Sequence, residues 1–236
     1  MQQIYLETRD LLRHIEDAVK DRKPFSLVRI GDGENLVMSQ HEVWPISKVL
    51  QERWAIKANR GEKGVTLPNL PLRNALVSSV RRASVVGILP AGDDTINAPS
   101  YLKRPLTDQI FAHYKLRPAR VCHAGVNREL ARMTEFWSVL SGRRILVITR
   151  EAQLIKEMLE KEPYKQKVVH ALPFSQWQDY RSTIKWIASH KDSFDVAFIS
   201  CGVNAVVLAE QIAALTGKVA LDMGKANNII LKGRPN

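Results

Sequence analysis

Apolar residues Ile4, Leu6, Leu11, Leu12, Ile15 and Val19 recur at helical spacing with charges between them. They predict an amphipathic opening helix that breaks at residues 21–24. Phe25-Ser-Leu-Val-Arg-Ile30 then reads as a strand and runs straight into Gly31-Asp-Gly-Glu34. From there the pattern alternates. Short apolar runs at residues 54–58, 84–89, 119–123, 144–149, 167–172, 195–200 and 218–223 predict strands. Longer amphipathic stretches at 70–82, 106–116, 127–140, 151–161, 177–190 and 205–215 predict helices. Residues 59–71, with two Gly and two Pro, predict a mobile loop. Strands alternating with helices mean βαβ units, hence an α/β fold with a mostly parallel sheet flanked by helices. No repeat or linker interrupts the pattern, so residues 1–236 read as a single domain.

Composition narrows the picture. Hydrophobic residues are 45% of the chain and charged residues 25%, enough to bury a core without a metal or disulfide staple. Two cysteines, Cys122 and Cys201, exclude a disulfide framework and a multi-cysteine zinc site and favour a reduced, cytoplasmic setting. Residues 1–23 carry charge throughout and hold no apolar core of a signal peptide, and no apolar run nears the ~18 residues of a membrane span. The net charge of +11 attracts anions, but the basic residues are scattered, with Arg81-Arg82 and Arg143-Arg144 the densest pairs. Most of them read as solvated surface. No helix joins a basic face to stacking aromatics, so nucleic acid is not an expected partner.

Ligands of an open parallel sheet bind beyond the carboxyl ends of its strands, and the candidate chemistry sits there. Asp32 and Glu34 are the sharpest pair. Two carboxylates on a loop can share one hard cation, Mg²⁺ or Mn²⁺, with substrate phosphates completing its shell. Gly31 and Gly33 permit the turns this needs, and Arg29 offers a fork of donors to phosphate. The same spacing also fits an ordinary Asp-Gly turn with a helix-starting Glu. Ser200-Cys-Gly-Val-Asn204 precedes a predicted helix whose free N–H groups suit an anion, with Gly202 allowing close approach; a plain tight turn fits it as well. Asp222 and Lys225 end the last strand and suit a sugar hydroxyl and a diphosphate, or else a surface ion pair. Asp93 and Asp94 are candidate general bases for an acceptor hydroxyl, or a solvated loop. Six histidines show no metal spacing, and His123 reads as a core or site-edge residue. No dinucleotide fingerprint and no P-loop follow any strand.

Phe25-Ser-Leu-Val-Arg-Ile-Gly-Asp-Gly-Glu34 resembles the opening motif of the GT-D glycosyltransferases, the family first catalogued as DUF1792. Cys201-Gly-Val-Asn-Ala-Val-Val-Leu-Ala209 and Gly217-Lys-Val-Ala-Leu-Asp-Met-Gly224 resemble its last helix and strand, and Gly142-Arg-Arg-Ile-Leu-Val-Ile148 fits more loosely. The resemblance implies a Rossmann-like single domain, a nucleotide-sugar donor, often a UDP-sugar, and a divalent cation, Mn²⁺ or Mg²⁺. It places metal and diphosphate contacts on Asp32 and Glu34 and donor contacts on Asp222 and Gly224. It implies a glycan or glycoconjugate acceptor and glycan assembly at a cytoplasmic face; a chain without a membrane span can still make peripheral contact with a membrane surface. One position departs: where the family has His after the glycine, this chain has Lys225, then Ala226-Asn-Asn228 in place of acidic residues. A charged lysine cannot ligate a metal but can hold phosphate. A non-catalytic module for nucleotides or anionic glycans is the competing reading.

Overall fold

The structure, a computed structural model, describes residues 3–232. Eight strands form one sheet: β1 (Ile4–Tyr5), β2 (Phe25–Arg29), β3 (Val85–Ile88), β4 (Arg120–His123), β5 (Arg144–Thr149), β6 (Lys167–Pro173), β7 (Val196–Ser200) and β8 (Val219–Asp222). All neighbours are parallel, in the order β1-β4-β3-β2-β8-β7-β5-β6. Strand residues alternate between two cores: Val28, Val86, Leu146, Ile148 and Ala197 face one, Leu27, Val85, Ile145, Val147 and Phe198 the other. Burial on both faces explains why these strands are apolar runs.

Right-handed crossovers decide which face each helix covers. Connections that step along the sheet in the direction β2 to β3 place their helices on the first face: α2 (Asp32–Ser39), α3 (Ile46–Gln51), α4 (Arg53–Asn59), α5 (Leu70–Arg82), α6 (Arg104–Tyr114), α10 (Tyr180–Ser189) and α11 (Asn204–Thr216). Connections in the opposite direction place α1 (Thr8–Asp21), α7 (Val126–Leu130), α8 (Thr134–Val139) and α9 (Ala152–Glu160) on the second face, where α12 (Ala226–Lys232) follows β8. No helix among the described residues is long and apolar enough to cross a membrane.

Several elements differ from the sequence pattern. Ile4 and Tyr5 pair with Arg120 and Val121 as an edge strand, so the first helix begins only at Thr8, with Leu11, Leu12, Ile15 and Val19 buried as the pattern requires. Residues 54–58 are not a strand but part of α4, which buries Ala55 and Ala58, three apart. The helix expected over 127–140 is interrupted at residues 131–133, and that over 177–190 opens with a 3₁₀ turn, Trp177–Asp179. Trp137 is a core residue, whereas Trp177 and Trp186 are only partly buried against the core. α2, α3 and α12 carry no clear amphipathic period. α2 buries Asn35, Leu36, Val37, Met38 and Ser39 in succession, so no polar face marks it as a helix.

α11 packs against β2 and carries Glu210, which is buried at 3% exposure. Arg82 meets both its carboxylate oxygens at 2.7 Å, and Ser79 donates at 3.2 Å. Removing the cation would strand a desolvated carboxylate. Arg82→Met should therefore lower stability by about 2 kcal/mol, discounted from the fully buried case because Arg82 is half exposed. Urea denaturation of the variant beside Arg82→Met/Glu210→Gln checks this, and the double variant should recover most of the loss.

Candidate functional site

Opposite exits create the cleft. After β2 the chain leaves for α2 on the first face; after the adjacent β8 it leaves for α12 on the second. The two connections diverge and leave a crevice above the strand ends. This cleft has a volume of about 600 Å³ and is lined from the ends of β2 through β8 and from residues 62–64 of the loop after α4.

One wall is the β2–α2 turn. Asp32 and Glu34 are not on a loop, as the glycine-flanked spacing suggested: they occupy the first turn of α2, where carboxylates complement the helix dipole. Glu34 folds back and its Oε2 accepts from the Gly31 N–H at 2.8 Å. Burial, then the nearby Asp222 and Asp32 charges, push the Glu34 carboxyl up to about 7. Asn35, one residue on, fixes α2 through hydrogen bonds to the Leu102 and Lys103 carbonyls and to Thr107. Gly33 lies against the Trp54 indole so closely that a Cβ would sit 2.6 Å from the ring.

The floor is Arg29. Its Nε donates to the Asp222 carbonyl (3.0 Å), its Nη1 to Ala124 O and Asn127 Oδ1, and its Nη2 to Asp222 Oδ1 at 2.9 Å. Four of its five N–H groups thus tie β2 to β8 and to the end of β4. Arg29 borders the cleft, but mainly as a clamp. Asp222 is 2% exposed; burial pushes its carboxyl upward against the opposing pull of Arg29. It contributes no surface to the cleft and is ion-paired with Arg29. Gly224 allows this arrangement: its φ is +42°, and a Cβ there would meet Arg29 Nη2 at 1.7 Å.

Of the residues singled out by the sequence, Arg29, Gly31, Asp32, Gly33, Glu34, Gly202, Gly224 and Lys225 come together on this cleft. Asp93, Asp94, Asn204 and Asp222 do not line it. The Asp93 carboxylate receives Thr95 and lies 3.2 Å from His123 Nε2. Because Gly125 N–H donates to His123 Nδ1, the imidazole proton sits on Nε2 and points at Asp93. That pair shapes the loop after β3. Asp94 is exposed outside the cleft. Asn204 is 1% exposed and donates to Gly64 O, tying the first residue of α11 to the loop after α4. Of the two buried cysteines, Cys201 lines the cleft and Cys122 does not; desolvation pushes Cys122 up to about 12 and raises Cys201 as well, so both stay thiols.

The cleft also holds Arg150 and residues the motifs missed: Lys63, Arg128, Trp54 and Asn227. Arg150 directly follows β5, a strand end of the kind at which ligands of a parallel sheet are expected. Arg128 reaches the cleft only because α7 crosses the end of β4; desolvation and the neighbouring Arg29 and Arg132 charges lower its pKa, a mark of crowded positive charge. Two carboxylates at a helix start thus face a rim of arginine and lysine, an arrangement suited to a cation and a polyanion together.

An all-parallel doubly wound sheet with such a cleft at its switch point defines an α/β protein whose open crevice lies beyond its strand ends. Residues 6–230 match the GT-D-like family of GT-D fold-like domains, and the chain belongs to that family. One solved structure, described as "The highly conserved domain of unknown function 1792 has a distinct glycosyltransferase fold", superposes with a TM-score of 0.64 at 14% identity, covering 99% of this chain and 83% of that one. A second, a selenomethionine-substituted domain of unknown function 1792 (DUF1792), gives 0.61 at 13% identity over the same shares. At such identities the likeness establishes a glycosyltransferase fold. No curated protein matches the chain. The family resemblance read from residues 25–34 and 201–224 holds.

Proposed function

We propose that the protein is a glycosyltransferase that moves a sugar from a nucleotide-sugar, a UDP-sugar first of all, to a hydroxyl of a glycan or glycoconjugate. The observation that carries this reading is the meeting of Asp32 and Glu34 with Arg128, Arg150 and Lys225 at the strand-end cleft of this fold.

The donor set fits a divalent cation in a particular way. Among the described residues no three His, Cys, Asp or Glu side chains gather into a metal cage. Two carboxylates do gather at the start of α2, and their mutual repulsion is part of what raises Glu34. That suits Mg²⁺ or Mn²⁺, which take one or two carboxylates and complete their shell with phosphate oxygens and water. Asp32 and Glu34 would hold the ion, which supplies charge neutralisation to the leaving diphosphate. Arg128, Arg150, Lys63 and Lys225 bind the same diphosphate from the rim and share its charge as the anomeric bond breaks. Lys225 serves phosphate directly. The acceptor hydroxyl attacks the anomeric carbon, and its proton goes to a cleft carboxylate. Glu34 lines the cleft, whereas Asp93 lies outside it, held by His123 and Thr95.

Thermal unfolding with UDP, GDP, dTDP and CMP, each with and without Mn²⁺, tests this reading. A nucleotide at ~100 times its Kd adds about 2.7 kcal/mol, or roughly 5 to 10 °C. The expected result is a Mn²⁺-dependent shift for one nucleotide class. Equal small shifts for every anion, indifferent to metal, would transfer the assignment to the non-catalytic binding module, as would nucleotide affinity without sugar transfer or donor hydrolysis.

A further inference from the structure

Because every strand is parallel, all strand starts share the edge of the sheet opposite the cleft. Basic residues gather along that edge. Arg120, Arg144 and Lys167 are the first residues of β4, β5 and β6, Lys218 immediately precedes β8, and Lys23 stands two residues before β2. The cleft edge is nearly balanced, its Asp32, Glu34, Glu62 and Glu151 offsetting five basic residues. The excess behind the net charge of +11 is therefore not explained by the cleft.

Two ordinary explanations fall short. Lys23 and Arg144 are in ion pairs with Asp21 and Asp195, but Arg117, Arg120, Lys167 and Lys218 have no ion-pair partner within 4 Å among the described residues. Helix C-termini also end at this edge and favour cations, which accounts for Arg82 at the end of α5. Arg117, Arg120 and Lys167 belong to no helix, so the dipole does not account for them. The row is broad: from β4 to β6 it crosses seven strands, which at ~4.8 Å spacing span about 29 Å. Leu215, at the end of α11, stands 44% exposed beside Lys218 on the same edge.

We infer that this edge docks the protein on an anionic phospholipid bilayer, with lipid phosphates meeting the strand-start arginines and lysines and Leu215 entering the interface. A planar anionic partner matches a long basic row carrying an apolar tip. Docking by this edge turns the cleft away from the bilayer. The inference does not depend on the proposed reaction: a protein without transferase activity would still bind vesicles.

Flotation with phosphatidylcholine vesicles, and with the same vesicles containing phosphatidylglycerol, tests it. The protein should float only with the anionic vesicles and be released by high salt. Each basic residue near the surface contributes about 5-fold, so Arg117→Glu/Arg120→Glu/Lys167→Glu should lower partitioning by about 100-fold or more. Circular dichroism and the unfolding temperature report whether that variant folds. Arg53→Glu/Lys57→Glu/Arg60→Glu, the same charge change on α4, should retain partitioning within about 5-fold. The inference is overturned by no flotation with anionic vesicles, by equal flotation with neutral ones, or by an equal loss in the α4 variant. Tighter binding to single-stranded RNA than to anionic vesicles at equal salt would also overturn it, and would make the edge a nucleic-acid surface.

Discussion

Asp32→Asn should lower turnover by about 10²- to 10³-fold while moving the unfolding temperature by no more than ~3 °C. Its carboxylate opens on the cleft, has no hydrogen bond within the described structure and begins α2, so the amide keeps volume and loses only a favourable interaction with the helix dipole. Steady-state kinetics with the donor named by the thermal screen decide it; unchanged turnover would end the assignment. Glu34→Gln separates from it through pH. An ordinary glutamate near 4.5 is raised here to about 7, so between those values the folded protein holds a proton that the unfolded chain has lost. The contribution of Glu34 to stability is complete below about pH 4.5 and is lost as pH rises through 7, a change of about 3 kcal/mol. Urea denaturation from pH 5 to 8 should show this slope in the metal-free parent and a flatter one in Glu34→Gln. Cation affinity should run the other way and strengthen up to about pH 7, because only the carboxylate binds.

Gly224→Ala is the substitution expected to cost most in stability, about 3 to 5 kcal/mol, or a fall of roughly 10 °C. The new methyl would occupy the space of Arg29 Nη2 and Cζ, which lie 1.7 and 2.7 Å from its ideal position, on a backbone with φ of +42°. Arg29 must then leave, and Asp222, deep between β2 and β7, loses its cation. Since the damage passes through Arg29, Arg29→Ala/Gly224→Ala should be little worse than Arg29→Ala alone. Denaturant titrations of the three variants measure the coupling; additive losses would mean that the glycine acts through its own backbone and not through the arginine.

What the sequence made legible follows from which forces are local. β5 and β7 show as apolar runs because both their faces are buried, and α1 shows because one face is wet. α2 is buried on nearly every side and α4 is seven residues long, so neither presents a helical period. The strand-end rule found Gly31 to Glu34, Gly202 and Lys225, because parallel topology alone carries such residues to one edge. Pairing across the fold is not local. Nothing near Asp222 in the chain announces Arg29, 193 residues away, or tells Asp93 that His123 will occupy it. Acidic residues at strand ends therefore read alike until the partners are placed.

The position of β8 has a consequence for how the molecule is made. It follows every other strand in the chain, yet lies between β2 and β7. As the polypeptide emerges during synthesis, β1 to β4 and β5 to β7 can assemble as two separate half-sheets, each with an open, apolar border facing the other. Only when Val219 to Asp222 clears the ribosome can the halves be zipped together. Until then the nascent protein has two sticky edges and no crevice, a state in which chaperone protection would matter most. The ligand cleft is thus among the last features to exist, appearing in the same step that removes the hazard.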